Sequence, residues 1–220
     1  MTIKVFPILA LAALASCGPM ASNGIGANIA QGLISRFTGP ADSAAATQGG
    51  APTALTREAI EQQDVDMLRV SIISRESTAF VFFGGQNGSK VTWLSIDGLS
   101  ITLDDGLLVG TRGFGDDLMG ADTAAAQVSL NGGGNHLRTL EFLNGLGQLE
   151  RDVLECSTVV TGRETITIVE RSYATTVLEE NCTGDNATLK NTYWRDTNGV
   201  IWQSRQWVSP LVGYIGYQRL

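Results

Sequence analysis

Leu68-Arg69-Val70-Ser71-Ile72-Ile73-Ser74-Arg75 and, shortly after, Phe80-Val81-Phe82-Phe83 are the residues whose reading decides the fold. In the first stretch Leu68, Val70, Ile72 and Ser74 alternate with Arg69, Ser71, Ile73 and Arg75, and a period of two sends one set to each face of a strand. The second is an aromatic and β-branched run that ends at a turn signal, Gly84 to Gly88. Working outward, similar runs lie at residues 91–96, 99–103 and 107–110, with Asp97-Gly98 and Asp105-Gly106 as tight turns. Glycines at 132–134 mark a loop, and strand patterns resume at 137–143, 153–160, 165–170, 173–178, 189–195 and 200–208. Close spacing, glycine turns and no long helical period predict a mainly β fold: a strongly curved antiparallel sheet or a partly closed barrel. The few short helices fall near the N-terminus. One starts at the N-cap Thr56 and runs through Ile60 and Glu61; another lies near 27–37, where Ile29, Leu33, Ile34 and Phe37 recur at helical spacing.

Upstream of the strands the grammar is that of targeting. The first sixteen residues hold one charge, Lys4, followed by an apolar run from Val5 to Ala15 interrupted only by Pro7. At roughly 11 residues this run is far short of the ~20 that a membrane-spanning helix needs, which predicts a signal peptide over 1–16. It ends in Leu14-Ala15-Ser16-Cys17, which resembles the lipobox of bacterial lipoproteins. That resemblance implies that Cys17 begins the mature chain, carries a thioether-linked diacylglycerol and receives a third acyl chain on its freed amine; two lipid signals already anchor stably. Neither Gly18 nor Pro19 is the aspartate that marks inner-membrane retention in enterobacterial lipoproteins, so the resemblance implies the outer membrane, with the protein facing the periplasm. Residues 17–53, dominated by Gly, Ala, Ser, Asn and Thr, read as the lipidated cysteine and a flexible tether, and 54–220 as a single β-rich periplasmic domain.

The chain is 43% hydrophobic and 17% charged, too apolar to be disordered. Its net charge is −7, and loss of Lys4 with the signal makes it −8. An acidic surface argues against nucleic acid as a partner, and any polyanionic ligand needs a locally basic pocket. With Cys17 committed to lipid, Cys156 and Cys182 are left in an oxidising compartment, which predicts one disulfide. A closed loop of about 26 residues is worth roughly 3 kcal/mol. Two separated cysteines and the one histidine, His136, lack the clustered spacing of a zinc site, so neither metal nor cofactor is expected.

In the C-terminal third, Asn191-Thr192-Tyr193-Trp194-Arg195-Asp196, then Gly199-Val200-Ile201, then Gln203-Ser204-Arg205-Gln206-Trp207 resembles the signature of the YjbF/GfcB-like lipoproteins of exopolysaccharide and group 4 capsule operons. In that family an aromatic pair and an aspartate lead through a turn into a Ser-Arg-Gln strand. Gly162-Arg163-Glu164, the segment from Thr111 to Leu118, the helix start Leu55-Thr56-Arg57 and the lipobox also fit, so the similarity covers most of the mature chain. Arg195 stands where the family usually carries an apolar residue. The resemblance implies a part in polysaccharide secretion or assembly at the outer membrane, alongside proteins of an export pathway, and carries over no catalytic residues.

Three of the four tryptophans, Trp194, Trp202 and Trp207, fall with Tyr193 in what reads as the last hairpin. Aromatic faces stack on sugar rings by the same physics that packs a core, and Arg205, of the same strand parity as Trp207, offers a fork of donors to a sugar carboxylate. Tyr193, Trp194, Trp202, Arg205, Gln206 and Trp207 are therefore the candidate surface for a ligand or partner. The competing reading has the rings fill the core and Arg205 pair with Asp196 or another acid. Asp196-Thr197-Asn198-Gly199 allows two-, three- or four-residue loops, so the register stays open. Asp104-Asp105 and Asp116-Asp117 are read as turn residues rather than a glycosidase pair, because neighbours on a strand point to opposite faces. His136, after the glycines, is read as a loop histidine. The leading expectation is a non-catalytic, lipid-anchored accessory protein working through protein partners; a glycan- or lipid-binding module using the concave sheet face is second, and a polysaccharide-modifying enzyme third.

Overall fold

The computed structural model describes residues 55–63 and 65–220. The signal peptide expected over 1–16, Cys17, the tether expected up to 53 and the helix expected near 27–37 lie outside the described residues.

Twelve strands pair antiparallel throughout: β1 (Met67–Ile72), β2 (Ser77–Asn87), β3 (Lys90–Leu94), β4 (Ser100–Asp104), β5 (Leu107–Arg112), β6 (Gly120–Asp122), β7 (Gly134–Leu143), β8 (Leu149–Ile168), β9 (Arg171–Thr183), β10 (Thr188–Arg195), β11 (Ile201–Ser209) and β12 (Gly213–Arg219). Two short helices accompany them, α1 (Arg57–Glu61) and α2 (Ala124–Gly132). The strand order β5-β4-β3-β2-β1-β12-β11-β10-β9-β8-β7-β6 is an up-and-down meander in which the first and last strands pair. Its two edges, β5 and β6, are consecutive in the chain, and the sheet curves until it is nearly closed into a barrel. At the seam the Thr111 amide donates to Leu118 O at 2.9 Å, and Met119 N donates to Glu141 O of β7 at 2.8 Å. Asp117 shapes this crossing: its carboxylate accepts from Thr111 Oγ1 (2.8 Å), Gly113 N (2.9 Å) and Phe114 N (3.1 Å). Gly113 and Gly115 supply the positive φ of 88° and 101° that this wrap requires.

Alternation fills the interior. Leu68 and Val70 of β1, Ile101 and Leu103 of β4, Leu154 of β8, Leu178 of β9 and Ile215 and Tyr217 of β12 are buried together. Cys156 and Cys182 stand directly opposite each other on β8 and β9 and form the predicted disulfide. Thr56 caps α1 by accepting from Ala59 N at 3.2 Å, as its sequence predicts. Arg57 then ties the helix to the β8–β9 turn through Ile168 O (2.7 Å) and Val169 O (3.1 Å).

Several boundaries differ from the sequence reading. Gly84 and Gly85 lie inside β2, where the register shifts between Phe83 and Gly85, and the turn comes only at Gly88. A Cβ on Gly84 would stand 2.7 Å from the Leu94 side chain, so that glycine permits close strand packing rather than reversal. The runs at 153–160 and 165–170 belong to one 20-residue strand, β8, which ends at Ile168 and in which a bulge places Thr161, between Val160 and Gly162, out of the pairing. Three elements have no counterpart in that reading, among them the three-residue edge strand β6. The others are α2, whose small alanines give a faint apolar stripe, and β12, where Gly216, Gln218 and Arg219 dilute the alternation. With β12 present, β10 and β11 are central strands and not the last hairpin.

Candidate functional site

The barrel interior holds a charged cluster. Glu180 of β9 points inward and accepts four hydrogen bonds: from Arg138 Nη1 (2.6 Å) and His136 Nε2 (2.9 Å) of β7, and from Asn191 Nδ2 (2.7 Å) and Tyr193 Oη (2.8 Å) of β10. Burial would raise the Glu180 pKa, but the Arg138 charge, followed by the bonds from His136, Asn191 and Tyr193, brings it down to about 2. The same burial, reinforced by the Glu180 charge, holds the Tyr193 hydroxyl well above its usual range. Arg138 Nη2 reaches across the barrel to Leu108 O at 3.2 Å, and Gln206 accepts from Leu108 N at 2.8 Å while donating to Gly106 O at 2.9 Å. Polar side chains of β7 and β11 thus satisfy backbone groups of Leu108 in the edge strand β5 and of Gly106 in the turn before it.

His136 is therefore a strand residue with a buried side chain, not a loop histidine: β7 starts at Gly134, the last of the three glycines. The fold also brings together what sequence spacing keeps apart, since His136, Cys156 and Glu180 offer ligand atoms within 4.8 Å of one another. The Cys156 sulfur is bonded to Cys182, however, and Glu180 is occupied by its four donors, so this trio presents no thiolate to a metal.

The six candidate surface residues divide between the two faces. Tyr193 and Gln206 are fully buried inside. Trp202 sits at a bulge opposite Arg195, stacks on Tyr173 with ring centroids 3.8 Å apart and donates Nε1–H to Asp196 at 2.9 Å. Trp207 meets Phe142 edge to face at 5.9 Å. Trp194 and Arg205 remain, on the outer side of β10 and β11. The Trp194 Nε1–H is fixed to Glu164 at 2.7 Å, and its ring has no aromatic partner among the described residues. The Arg205 guanidinium lies 3.4 Å over the Tyr214 ring and donates to Lys190 O at 3.3 Å. It pairs neither with Asp196 nor with another acid among the described residues.

Trp194 and Arg205 help line a groove of about 390 Å³ on the outer surface of β10, β11, β12 and β1. In register across these strands, Trp194 stands opposite Gln203, Gln203 opposite Gln218 and Gln218 opposite Arg69. Arg69 donates to Gln218 Oε1, and Gln218 Nε2 to Gln203 Oε1, so the row is a hydrogen-bonded ladder. Two residues along the strands the row is Thr78, Ser71, Gly216 and Arg205, and Gly216 leaves the groove floor open. Sequence reasoning missed Arg69, Gln218 and Gly216; an isolated glycine inside a strand was the available signal.

A model of the family described as group 4 capsule polysaccharide lipoprotein gfcB, YjbF matches residues 41–220. The chain belongs to this family. Its fold is similar to the crystal structure of the hypothetical lipoprotein YmcC from Escherichia coli (K12), with a TM-score of 0.66 and 20% identity over 80% of this chain and 97% of that one. No curated protein matches the chain. The segments that carry the YjbF resemblance now have structural roles: Thr111 to Leu118 forms the seam, Arg57 clamps the β8–β9 turn, and Glu164 holds Trp194. Arg195, set where the YjbF family usually has an apolar residue, donates to Leu130 O (3.2 Å), Asn131 Oδ1 (2.6 Å) and Gly199 O (3.2 Å). It ties the β10–β11 turn to the C-terminal end of α2, where helix carbonyls lack intrahelical partners.

Proposed function

We propose that this YjbF-family lipoprotein is a non-catalytic accessory protein in the secretion or assembly of an exopolysaccharide or capsule, fastened by Cys17 to the outer membrane and facing the periplasm. The family match over residues 41–220 carries this reading, and the lipobox ending at Cys17 supports the anchor. The Asp doublets favour a non-catalytic role because neither converges on one point. Asp104 is buried against Lys90 and Thr123, while Asp105 sits exposed in a turn at φ 48°. Asp116 and Asp117 brace loops: Asp116 accepts from Ser209 and Leu211 N, and Asp117 holds the seam.

Deletion of the gene is expected to reduce the amount or alter the length of surface polysaccharide, and a Cys17→Ser variant is expected to lose lipid labelling, leave the outer-membrane fraction and fail to restore the polymer. Unchanged polysaccharide in the deletion strain would sink the accessory role. A second reading, a glycan-binding module, is favoured by one observation: Trp194 presents a fixed, unstacked ring to a groove that holds two arginines. On this reading the ligand face is the outer surface of the sheet.

A further inference from the structure

The groove between Trp194 and Arg69 is shaped by an omission. Ile215 and Tyr217 of β12 point inward and are buried, so Gly216 points outward, between Tyr214 and Gln218 on the same face. With no side chain there, the floor consists of backbone flanked by Ser71 and Thr78 on one side and Arg205 on the other. A glycine inside a strand weakens it, and this one has no positive φ to account for it; a Cβ here would stand 3.4 Å from Ser204 O of β11, and its absence also leaves room for another molecule to approach the outer surface.

The flanks carry charge. Among the described residues Arg69 bonds only to the Gln218 amide, and Arg205 only to the Lys190 carbonyl and the Tyr214 ring. Neither has a carboxylate within salt-bridge distance among the described residues, in a chain with 22 acids against 15 basic residues. From strand spacing and rise the two positions are roughly 12 Å apart, farther than one sugar ring reaches. At the same end as Gln203, half-buried Trp194 lines the groove with its Nε1–H already bonded to the Glu164 carboxylate.

We propose that this groove binds a strand of acidic polysaccharide, with a sugar ring stacked on Trp194 and successive carboxylates held by Arg205 and Arg69. Gln203 and Gln218 supply amide donors and acceptors to the hydroxyls between them. Arg205 lies flat on Tyr214, which pre-orients its fork for a planar carboxylate. The inference deepens the glycan-binding reading above and rests on it.

The test is calorimetric titration of the mature lipoprotein in detergent micelles with oligoglucuronate, and with a neutral maltooligosaccharide of equal length. Oligoglucuronate is expected to bind, more weakly as salt rises. Arg205→Ala and Trp194→Ala are each expected to lose at least about tenfold in affinity. Arg205→Lys, which keeps the charge and loses the fork, should fall between. Arg171→Ala, which removes an equal charge near α1, should bind as the parent does. Thermal unfolding of each variant separates lost binding from lost fold. No binding by the parent protein, equal binding of the neutral oligomer, or equal loss with Arg171→Ala would overturn the proposal. If vesicles of anionic phospholipid compete as well as free oligoglucuronate, the groove reads a lipid headgroup and the polysaccharide assignment falls. Deletion strains keep the readings apart: a polysaccharide defect rescued fully by Arg205→Ala and Trp194→Ala would leave the accessory role standing and remove the groove.

Discussion

Arginine, an amide and an aromatic ring occur together on both sides of this sheet, in opposite circumstances. Inside, Arg138, Asn191 and Tyr193 all converge on Glu180, which receives four donors and stays ionised despite burial. Outside, Arg69, Gln203, Gln218 and Trp194 lie in a row, and neither Arg69 nor Arg205 has an acid paired to it among the described residues. The physical reason is solvent. A buried charge without a counter-ion costs several kcal/mol, so the interior must complete its pairs, whereas water completes them at the surface. Residue type alone therefore does not locate a binding face; unused hydrogen-bonding capacity at an accessible place does. Trp194 and Arg205 of the signature hairpin belong to the second kind, and their sequence neighbours Tyr193 and Gln206 to the first.

That contrast can be broken by substitution. Glu180→Ala leaves the Arg138 charge buried and unpaired and is expected to cost about 3–5 kcal/mol in urea unfolding; a loss below about 1 kcal/mol would mean that the inner cluster does not hold the fold. Acid provides a gentler version of the same test. Because the folded Glu180 pKa of about 2 lies below the ordinary 4.5, its contribution is fully present above pH 4.5 and disappears as pH falls through 2. The shift corresponds to roughly 3 kcal/mol, and Glu180→Gln should flatten that acid limb in unfolding curves collected across this range. At the small end, Arg205→Ala should change stability by no more than about 0.5 kcal/mol. A larger destabilisation in the same urea assay would place Arg205 among the structural residues, and the contrast between the faces would blur.

How far the sequence could be read depended on how apolar each strand was. In β1 the alternation of Leu68, Val70 and Ile72 with Arg69 and Ser71 gave the correct faces, because one face is purely apolar. In β7 the same logic fails: Leu137 is 59% exposed while Arg138 is 4% exposed, so the apolar residue points out and the cation in. Nothing local to His136-Leu137-Arg138 reveals this, since the partner that makes it affordable, Glu180, lies forty-two residues away on another strand. The candidate surface divides for the same reason. Tyr193 and Trp194, adjacent in sequence, necessarily face opposite ways, and only the pairing of β10 with its neighbours decides which one meets solvent.

Period-two alternation and glycine turns, with cysteines that come out even once one is given to lipid, were enough to determine a curved antiparallel sheet and its cystine, since both follow from local sterics and simple counting. The resemblance of Leu14 to Cys17 to a lipobox likewise rests on sequence alone. Only the tertiary structure decided that β12 closes β11 onto β1, that the seam falls between β5 and β6, and that Gly216 opens a floor between Arg69 and Arg205. These depend on which strands lie side by side, and pairing is set by burial summed over the whole barrel rather than by any stretch of chain.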